Sequence, residues 1–273
     1  MMTDKTHQGC DEKVPALKAG LQRMKKAAIA FSGGVDSAFL LAVAAASGLD
    51  RLVAMTVDSA FVTREEILRA GQVAQDLGVE HQVLTADILK DAKVIENPPE
   101  RCYHCKAAVF SLIKDAARRA KIAHVLHGVN TDDLKDFRPG MKAAGELGFE
   151  APLLDAGFSK REIRICSKQM GLATWDLPSQ SCLATRIPFG TVITEQALHR
   201  IGQAEIFIKS LGFAHVRVRC HGRLARIETD DRSMVSMMQL RQQISAGLKK
   251  FGFTFVSLDM DGYRTGKMNP AKK

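Results

Sequence analysis

Short apolar runs, separated by stretches with helical periodicity, occupy the first two thirds of the chain. Residues 27–31 form one such run after two lysines, and residues 51–57 form a compact run typical of a strand buried on both faces. Further strands are predicted at 81–85 and 124–127, with helices at 63–77 and 101–120. Strands that alternate with helices imply right-handed crossovers, so we predict an α/β fold with a doubly wound parallel sheet.

The pattern changes near residue 191, which predicts a second domain. A helix over 194–210 precedes an alternating strand at 215–220, and a helix reaching residue 250 precedes a strand at 254–259. This weak internal repeat, with a further strand at 224–228, indicates a smaller α+β module. We therefore predict a polar, mobile tail over 1–12, a first helix over 12–24 opening a large domain over 13–185, and a small domain over 186–273 for substrate binding and oligomerisation.

Composition narrows the class of protein. The 273 residues are 46% hydrophobic and 25% charged, as in ordinary soluble proteins, and no apolar run is long enough to span a bilayer. The N-terminal residues lack the apolar core of a signal peptide, so a cytoplasmic protein is expected. Six cysteines in a reducing compartment predict metal ligands, catalytic groups or core residues rather than disulfides. The net charge of +9 favours an anionic partner, which can be a nucleotide, a phosphorylated metabolite or RNA.

A glycine loop joins the first strand to a helix. It reads Ser32-Gly33-Gly34-Val35-Asp36-Ser37. Paired glycines allow positive φ and close approach of a ligand, and the first helical turn directs amides and the positive end of the dipole outward, so the loop suits an anion. It lacks the lysine of a Walker A loop. The six-residue pattern resembles the PP-loop of ATP pyrophosphatases, which cut ATP between its α- and β-phosphates; the plainer alternative is an ordinary strand-to-helix turn.

A polar loop over residues 128–140 follows the strand at 124–127. Gly128 directly follows the strand end, and the loop carries the polar candidates Asn130, Asp132, Asp133, Asp136 and Arg138. Carboxylates beside a pyrophosphate site are suitable partners for Mg²⁺ or for a substrate hydroxyl. A solvated loop is the alternative, since Asn, Asp and Gly are turn formers in any protein.

Two arginines lie on one face of a predicted strand in the second domain. Arg217 and Arg219 alternate with Val216 and Val218, so the two guanidinium groups share a surface that can bind a phosphate. Arg264 and Lys267 can extend this surface. A solvated sheet face is the alternative explanation.

Three of the six cysteines form a candidate metal site. Cys102 and Cys105 lie at the expected start of a helix, where both sulfurs fall on one face and the dipole favours their thiolates. Cys182 lies at the junction of the predicted domains. Three thiolates are one short of a closed four-cysteine site, and a [4Fe-4S] cluster on three cysteines leaves one iron able to carry an external sulfide. A lone CxxC with an unrelated cysteine is the alternative. Cys10, Cys166 and Cys220 are interpreted as tail or packing residues.

Together these segments resemble the LarE-type ATP-dependent pyridinium-carboxylate mononucleotide sulfurtransferases, a branch of the PP-loop family that helps make the nickel-pincer nucleotide cofactor of lactate racemase. The resemblance covers nearly the whole chain through residues 32–37, 128–140, 182–190, 216–219 and 262–269. It implies that the enzyme adenylates a substrate carboxylate and that sulfur then displaces AMP, leaving a thiocarboxylate. Some members donate sulfur from one cysteine at the Cys182 position and are spent. The additional Cys102 and Cys105 make this chain similar to the branch with a three-cysteine [4Fe-4S] cluster.

The resemblance also implies the partners of the protein and the residues that bind each of them. A pyridinium mononucleotide, ATP with Mg²⁺ and a sulfide donor are the expected partners, and the protein is expected to form homo-oligomers. The implied ATP-binding residues are Ala30, Ser32, Gly33, Gly34, Asp36, Ser37, Met55, Gly128 and Asp133. Those for the mononucleotide are Arg186, Glu205, Arg217, Arg219 and Arg264, and Cys102, Cys105 and Cys182 hold the cluster.

Two other functions are compatible with parts of the sequence. A tRNA thiolase can also pair a PP-loop with three cysteines, and the net charge suits RNA. The chain has no appended zinc-ribbon cysteine pairs and no basic face rich in aromatic residues, so tRNA is the less favoured partner. A non-catalytic nucleotide-sensing module would keep the loop but has no need of three cysteines.

Overall fold

The computed structural model describes residues 4–135, 139–178, 181–264 and 267–268. The chain divides into two compact units. The first comprises Met1–Asp87 and Cys102–Gln180, and the second comprises Ile88–Arg101 and Ser181–Lys273. The second unit therefore takes a short segment from the middle of the sequence as well as the C-terminal third.

A four-stranded parallel sheet forms the centre of the first unit. Its strands are β1 (Lys26–Ala30), β2 (Arg51–Asp58), β3 (Glu80–Thr85) and β4 (His124–His127), in the spatial order β3-β2-β1-β4. Because the strand order reverses beside β1, the carboxyl end of β1 borders the crevice where such sheets bind ligands. This sheet confirms the predicted α/β fold.

Helices cover both faces of this sheet. The helices of the first unit are α1 (Asp4–Gln22), α2 (Val35–Ala45), α3 (Arg64–Asp76), α5 (Arg101–Arg119), α6 (Pro139–Glu146), α7 (Pro152–Asp155) and α8 (Lys160–Gln169); α4 (Ala92–Ile95) precedes α5 in the chain and belongs to the second unit. Side chains of a strand alternate between faces, so Ala27 and Ile29 of β1 pack with α1, α2 and α8, whereas Ala28 packs with α5 and α6. The strands are thus buried on two sides, which explains their continuous apolar runs.

The N-terminal segment differs from its prediction. Helix α1 begins at Asp4 rather than at residue 12, and Cys10 is buried in the core of the first unit. Cys10 and Cys166 of α8 form a disulfide across 156 positions of sequence. Residues 4–12 are therefore helical rather than a tail, and the expectation that the cysteines form no disulfides is wrong for Cys10 and Cys166, because α1 packs along α8 and brings these thiols together. Both cysteines are packing residues as predicted, since they are buried in the core.

In its described C-terminal part, the second unit contains a three-stranded sheet and three α-helices. Strands β5 (Val216–His221) and β6 (Leu224–Thr229) are antiparallel, whereas β7 (Phe255–Leu258) runs parallel to β6. Helix α9 (Glu195–Ser210) precedes β5, and α10 (Asp231–Gln239) and α11 (Arg241–Lys250) connect β6 to β7. This arrangement confirms the smaller α+β module. The single helix predicted to reach residue 250 is two helices, divided at Leu240.

None of the described helices combines the length and the apolar character needed to cross a bilayer.

Candidate active site

The glycine loop lies between the end of β1 and the start of α2. Ser32 is exposed, and the Ser37 hydroxyl donates to the Gly34 carbonyl at 3.2 Å. The Ser37 oxygen in turn lies 3.1 Å from the Ser32 hydroxyl and accepts from the Ser32 amide at 3.4 Å. Gly34 is the N-cap of α2 and supplies no side-chain acceptor to the first helical turn. The loop therefore presents the Ser32 hydroxyl and an uncapped helix start to an anion.

The three glycines of this region have different structural roles. Gly33 has φ of +67°, and a Cβ there would lie 3.0 Å from the Ala70 Cα of α3. A Cβ on Gly128 would lie 3.0 Å from the Ser37 amide nitrogen, so the loop after β4 approaches α2 closely. Gly34 has extended backbone, and its nearest neighbour to a Cβ would be Ser32 Oγ at 3.4 Å. Protein packing thus requires glycine at 33 and 128, while position 34 leaves space for a ligand.

Acidic side chains adjoin the loop on the helix side. Asp36 is largely buried, and Lys160 Nζ of α8 donates to its Oδ2 at 3.3 Å. Burial raises the pKa of Asp36, and the charge of Asp133 adds to this effect while Lys160 opposes it. Asp133 accepts from the Asn130 amide at 3.0 Å, and Asp132 accepts from the Lys160 amide at 2.9 Å.

Two buried polar atoms beside the glycine loop have no hydrogen-bond partner among the described residues. They are the carboxylate oxygen Asp36 Oδ1 and the amide nitrogen Asn130 Nδ2. Buried polar atoms are normally paired, so an orphaned carboxylate oxygen beside a second carboxylate fits a hard cation with oxygen ligands, such as Mg²⁺. The candidates Asp136 and Arg138 lie outside the described residues. Lys160 was not among the predicted residues; the Ser159–Glu162 capping box marks the start of its helix but gives no indication of its partner.

Ala30 and Met55, the remaining predicted ATP-binding residues, are neighbours across the strand pair β1–β2. The two residues are in register, and the Phe31 amide donates to the Met55 carbonyl at 2.8 Å. The Met55 side chain is fully buried in the core, whereas Ala30 is half-buried at the strand end. His127 ends β4 on the same edge of the sheet, and burial, followed by the charge of Lys106, lowers its pKa to about 4.

The three candidate cysteines are half-buried and form no disulfide. Cys102 and Cys105 lie near the start of α5, at the predicted spacing of three residues. Cys182 precedes a short 3₁₀ turn over Leu183–Arg186. Across residues 4–135, 139–178 and 181–264 the structure gathers no group of three or more His, Cys, Asp and Glu side chains as a metal site.

A contact within the second unit involves residues next to these cysteines in sequence. Arg101, the residue before Cys102, is buried and donates to the carbonyl of Ala184, two residues after Cys182, at 3.0 Å. Asn97 donates to the Pro188 carbonyl at 2.7 Å and accepts from Arg101. The chain leading into α5 therefore holds the segment that follows Cys182.

Two of the predicted mononucleotide residues, Arg186 and Glu205, form a buried ion pair with each other. Arg186 contacts Glu205 of α9 through Nε at 2.9 Å and Nη2 at 3.1 Å. Burial by itself would raise the pKa of Glu205, but the charge and hydrogen bonds of Arg186 outweigh it and hold the pKa below its ordinary value. Glu205 also accepts from the Val218 amide at 3.0 Å, which ties the pair to β5.

Arg217 and Arg219 of β5 are 9% and 5% exposed, so the solvated-face explanation is wrong. Arg217 lies over the ring of Tyr263 at 5.5 Å, and burial, followed by the charge of Arg186, lowers its pKa. Arg219 contacts Glu228 of β6 and donates to the Thr185 carbonyl. Arg264 is exposed. Positions 265, 266 and 269 of the family-like C-terminal segment lie outside the described residues.

The Ser32–Ser37 loop, which contains Gly33 and Asp36, lies at the carboxyl end of β1 in a parallel sheet and adjoins Gly128. These features define a PP-loop ATP pyrophosphatase. A family model described as queuosine biosynthesis protein QueC matches residues 26–96, which include this loop. The chain is 34% identical over 258 residues to the pyridinium-3,5-bisthiocarboxylic acid mononucleotide synthase of Lactiplantibacillus plantarum, covering 94% of each chain. By this similarity, the chain belongs to the LarE family of PP-loop enzymes.

Two other relatives match over a similar extent. An uncharacterized protein of Synechocystis sp. is 38% identical over 264 residues, covering 95% of this chain and 97% of the relative. An uncharacterized protein of Methanocaldococcus jannaschii is 28% identical over 257 residues, covering 93% of this chain and 98% of the relative. The sequence similarity to these relatives therefore extends over both units.

Proposed function

We propose that this protein transfers sulfur to a carboxylate of a pyridinium mononucleotide in an ATP-dependent reaction of nickel-pincer nucleotide biosynthesis. The observation that carries the proposal is the 34% identity, over 94% of both chains, to a synthase whose name specifies a bisthiocarboxylic acid mononucleotide product. The substrate carboxylate attacks the α-phosphate of ATP and releases pyrophosphate. Sulfide then displaces AMP from the acyl adenylate, which leaves a thiocarboxylate.

In this proposal the PP-loop binds the phosphates of ATP. Ser32, Gly33, Gly34 and Ser37 surround the polyphosphate, because the loop has an exposed Ser32 hydroxyl and an uncapped helix start. Gly128 allows the loop after β4 to close against α2. Ala30 borders the nucleotide at the end of β1, and Met55, its neighbour on β2, contributes through its backbone. Mg²⁺, held by Asp36 and Asp133, would neutralise charge on the leaving pyrophosphate.

The second unit binds the mononucleotide in this proposal. Arg217 is the proposed phosphate ligand, since its guanidinium lies over the Tyr263 ring and adds its charge to those of Arg186 and Arg219. Arg186 and Arg219 act mainly by fixing the framework, because each is paired with a buried carboxylate. Glu205 orients Arg186, and the exposed Arg264 remains available to a substrate phosphate or carboxylate.

We further propose that Cys102, Cys105 and Cys182 hold a [4Fe-4S] cluster. Three thiols outside any disulfide, two of them on one helical turn, provide the donor set that such a cluster requires. The likeness of residues 182–190 to the three-cysteine branch of the family supports the grouping. When bound, the cluster would supply sulfide received from an external donor.

The function is tested by incubating purified protein with ATP, Mg²⁺, the pyridinium biscarboxylate mononucleotide and sulfide under anaerobic conditions. We expect AMP, pyrophosphate and thiocarboxylate in equal amounts, and none of the three when the mononucleotide is omitted. Pyrophosphate release that depends on added tRNA, with sulfur recovered in the tRNA, would identify a thiolase instead.

The cluster is tested by iron and sulfide analysis of anaerobically reconstituted protein. Cys102→Ala, Cys105→Ala and Cys182→Ala should each lose most of the iron and the sulfur transfer while adenylation persists; Cys220→Ala, at a buried thiol of β5, is the matched control. A sacrificial enzyme would differ, because only Cys182→Ala would be inactive and the parent chain would lose the mass of a sulfur atom after one turnover.

We also propose that the protein is a cytoplasmic homo-oligomer, with the second unit contributing to the subunit contact. Val235, Phe255 and Met260 of this unit are large apolar residues left exposed in the single chain. Light scattering of the parent and of Phe255→Asp measures the effect: a lower mass in the variant supports the contact, and an unchanged mass contradicts it.

A further inference from the structure

A chain of hydrogen bonds connects the edge strand β3 to the PP-loop. The Thr56 hydroxyl of β2 donates to the Phe31 carbonyl at 2.8 Å, and the same oxygen lies 2.8 Å from His81 Nε2 of β3. Phe31 is the residue between β1 and Ser32. All three residues belong to the first unit, and Phe31 and Thr56 are buried.

Chemistry fixes the direction of each bond in this chain. A carbonyl oxygen only accepts, so the single hydroxyl proton of Thr56 is directed to Phe31. Thr56 must then accept from His81, which requires a proton on Nε2. Burial lowers the pKa of His81, so the ring is neutral near pH 7 and carries its one nitrogen proton on Nε2.

The chain continues into the loop through a planar peptide group. The Phe31 carbonyl and the Ser32 amide belong to the same trans peptide and point in opposite directions, so fixing one fixes the other. The Ser32 amide donates to Ser37 Oγ at 3.4 Å, and the Ser37 hydroxyl donates to the Gly34 carbonyl at 3.2 Å. His81 therefore influences the orientation of loop groups that it does not touch.

Packing keeps the histidine ring in this position. The rings of Phe31 and His81 meet edge to face, with centroids 6.2 Å apart. Gly71 of α3 adjoins the other side of the imidazole, since a Cβ there would lie 3.6 Å from Nδ1. The preceding residue, Ala70, is the one that packs against Gly33 of the PP-loop. Helix α3 thus supports both the histidine and the loop.

We propose that His81 is a positioning residue for the PP-loop: by donating from Nε2 to Thr56, it holds the Phe31–Ser32 peptide in the orientation that binds ATP. The inference deepens the proposed function, on which it rests for the identity of the nucleotide. His81 lies on a strand that contributes no predicted ligand. The sequence pattern of the loop therefore gives no indication of its role.

The first experiment measures the tautomer of His81 by long-range proton–nitrogen correlation of the histidine rings, assigned by comparison with His81→Gln. We expect the Nε2-protonated form. A proton on Nδ1 would overturn the proposal, because Nε2 would then have to accept from Thr56 and the Phe31 carbonyl would lose its donor. This readout needs neither ATP nor catalysis.

The second experiment measures ATP affinity by calorimetry, with Mg²⁺ present and the mononucleotide absent. One lost hydrogen bond should weaken ATP about three- to tenfold in His81→Ala and in Thr56→Val, and the double variant should be little weaker than either single variant. His81→Gln and Thr56→Ser keep a donor and a hydroxyl, so both should restore most of the affinity. His81→Glu, whose carboxylate can only accept, should not.

Matched controls are Thr85→Val, at an exposed position of β3, and His124→Gln, at the opposite end of β4; both should bind ATP like the parent. Parent-like affinity in His81→Ala and Thr56→Val, or equal losses in His81→Gln and His81→Glu, would overturn the inference. If the parent binds ATP but forms no AMP with the mononucleotide, the proposed function fails while these comparisons still decide the role of His81.

Discussion

Arg219 donates to one oxygen of Glu228 through two nitrogens: Nε and Nη2 lie 2.9 Å and 2.6 Å from Oε2. Glu228 is fully buried on β6, and its other oxygen accepts from Arg226 at 3.1 Å. Arg217, two residues before Arg219 on the same strand, is instead opposite Glu228 in the register and lies over Tyr263. The two arginines therefore have different surroundings despite sharing a strand face.

This difference predicts that the two alanine variants behave differently. Arg217→Ala should weaken the mononucleotide roughly tenfold to a hundredfold, the loss expected for one charge-assisted phosphate contact, with little effect on ATP. Arg219→Ala should lower the free energy of unfolding by about 3 kcal/mol, because it leaves a buried carboxylate with one partner fewer. Calorimetry and urea unfolding measure the two effects. Equal stability losses in both variants would contradict the assignment.

Adjacent glycines of the PP-loop provide a second contrast. Gly34→Ala should keep the parent's stability but lose most ATP binding, because the added methyl group meets only Ser32 Oγ in the protein and occupies space next to the loop. Gly33→Ala should lower the free energy of unfolding by about 1 kcal/mol or more, since its φ of +67° and the Ala70 backbone both oppose a side chain. Urea unfolding and calorimetry separate them; a Gly34→Ala protein that binds ATP like the parent would refute the loop's role.

The lowered pKa of His127 predicts how the free energy of unfolding depends on pH. Its pKa is about 4 in the folded protein, against 6.5 for an ordinary histidine. Below pH 6.5 the unfolded chain takes up a proton that the folded protein does not accept until about pH 4. Stability should therefore be complete above pH 6.5 and should fall as the pH decreases through this window, by a total approaching ~3 kcal/mol.

Urea unfolding of the parent and of His127→Gln at about pH 7 and about pH 4.5 measures this contribution. The variant should lose less stability between the two conditions than the parent loses. The same pH-dependent loss in His127→Gln and in the parent would show that another group is responsible.

The Cys10–Cys166 disulfide predicts four reactive thiols among six cysteines in denatured, unreduced apoprotein, and six after reduction. Joining residues 156 positions apart restricts the unfolded chain, so Cys10→Ala should lower the free energy of unfolding by about 3–5 kcal/mol. Thiol titration and urea unfolding under non-reducing conditions test both statements. Six reactive thiols before reduction would contradict the bond, and Cys220→Ala is the control for removal of a buried thiol.

Local signals predicted most of the fold. The apolar run at 51–57 corresponds to β2, and the Thr63–Glu66 pair forms the expected capping box at the start of α3. The strands at 215–220 and 224–228 correspond to β5 and β6 within one residue at each end. These features depend on periodicity and on contacts between near neighbours, which a sequence displays directly.

Features that depend on distant partners were not predicted. The polar residues before Cys10 look like a tail, and only packing of α1 along α8 reveals a helix. Asn97 and Arg101 contact the segment after Cys182, more than eighty positions away in sequence. The Asn97 side chain donates to the Pro188 carbonyl, and the Arg101 side chain donates to the Ala184 carbonyl. The burial of Arg219 requires Glu228 on the next strand, and the proximity of Lys160 to Asp36 requires the crossover to α8. No local pattern encodes these pairs.

In the proposed reaction, ATP activates a carboxylate of the mononucleotide by forming an acyl adenylate at the PP-loop. The most direct measurement uses substrate whose carboxylate oxygens carry a heavy isotope, with unlabelled water, ATP and sulfide, and determines the isotope content of the AMP by mass spectrometry. If the carboxylate attacks the α-phosphate and sulfide then breaks the bond to the acyl carbon, each AMP carries one labelled oxygen. Unlabelled AMP formed together with thiocarboxylate would contradict the account.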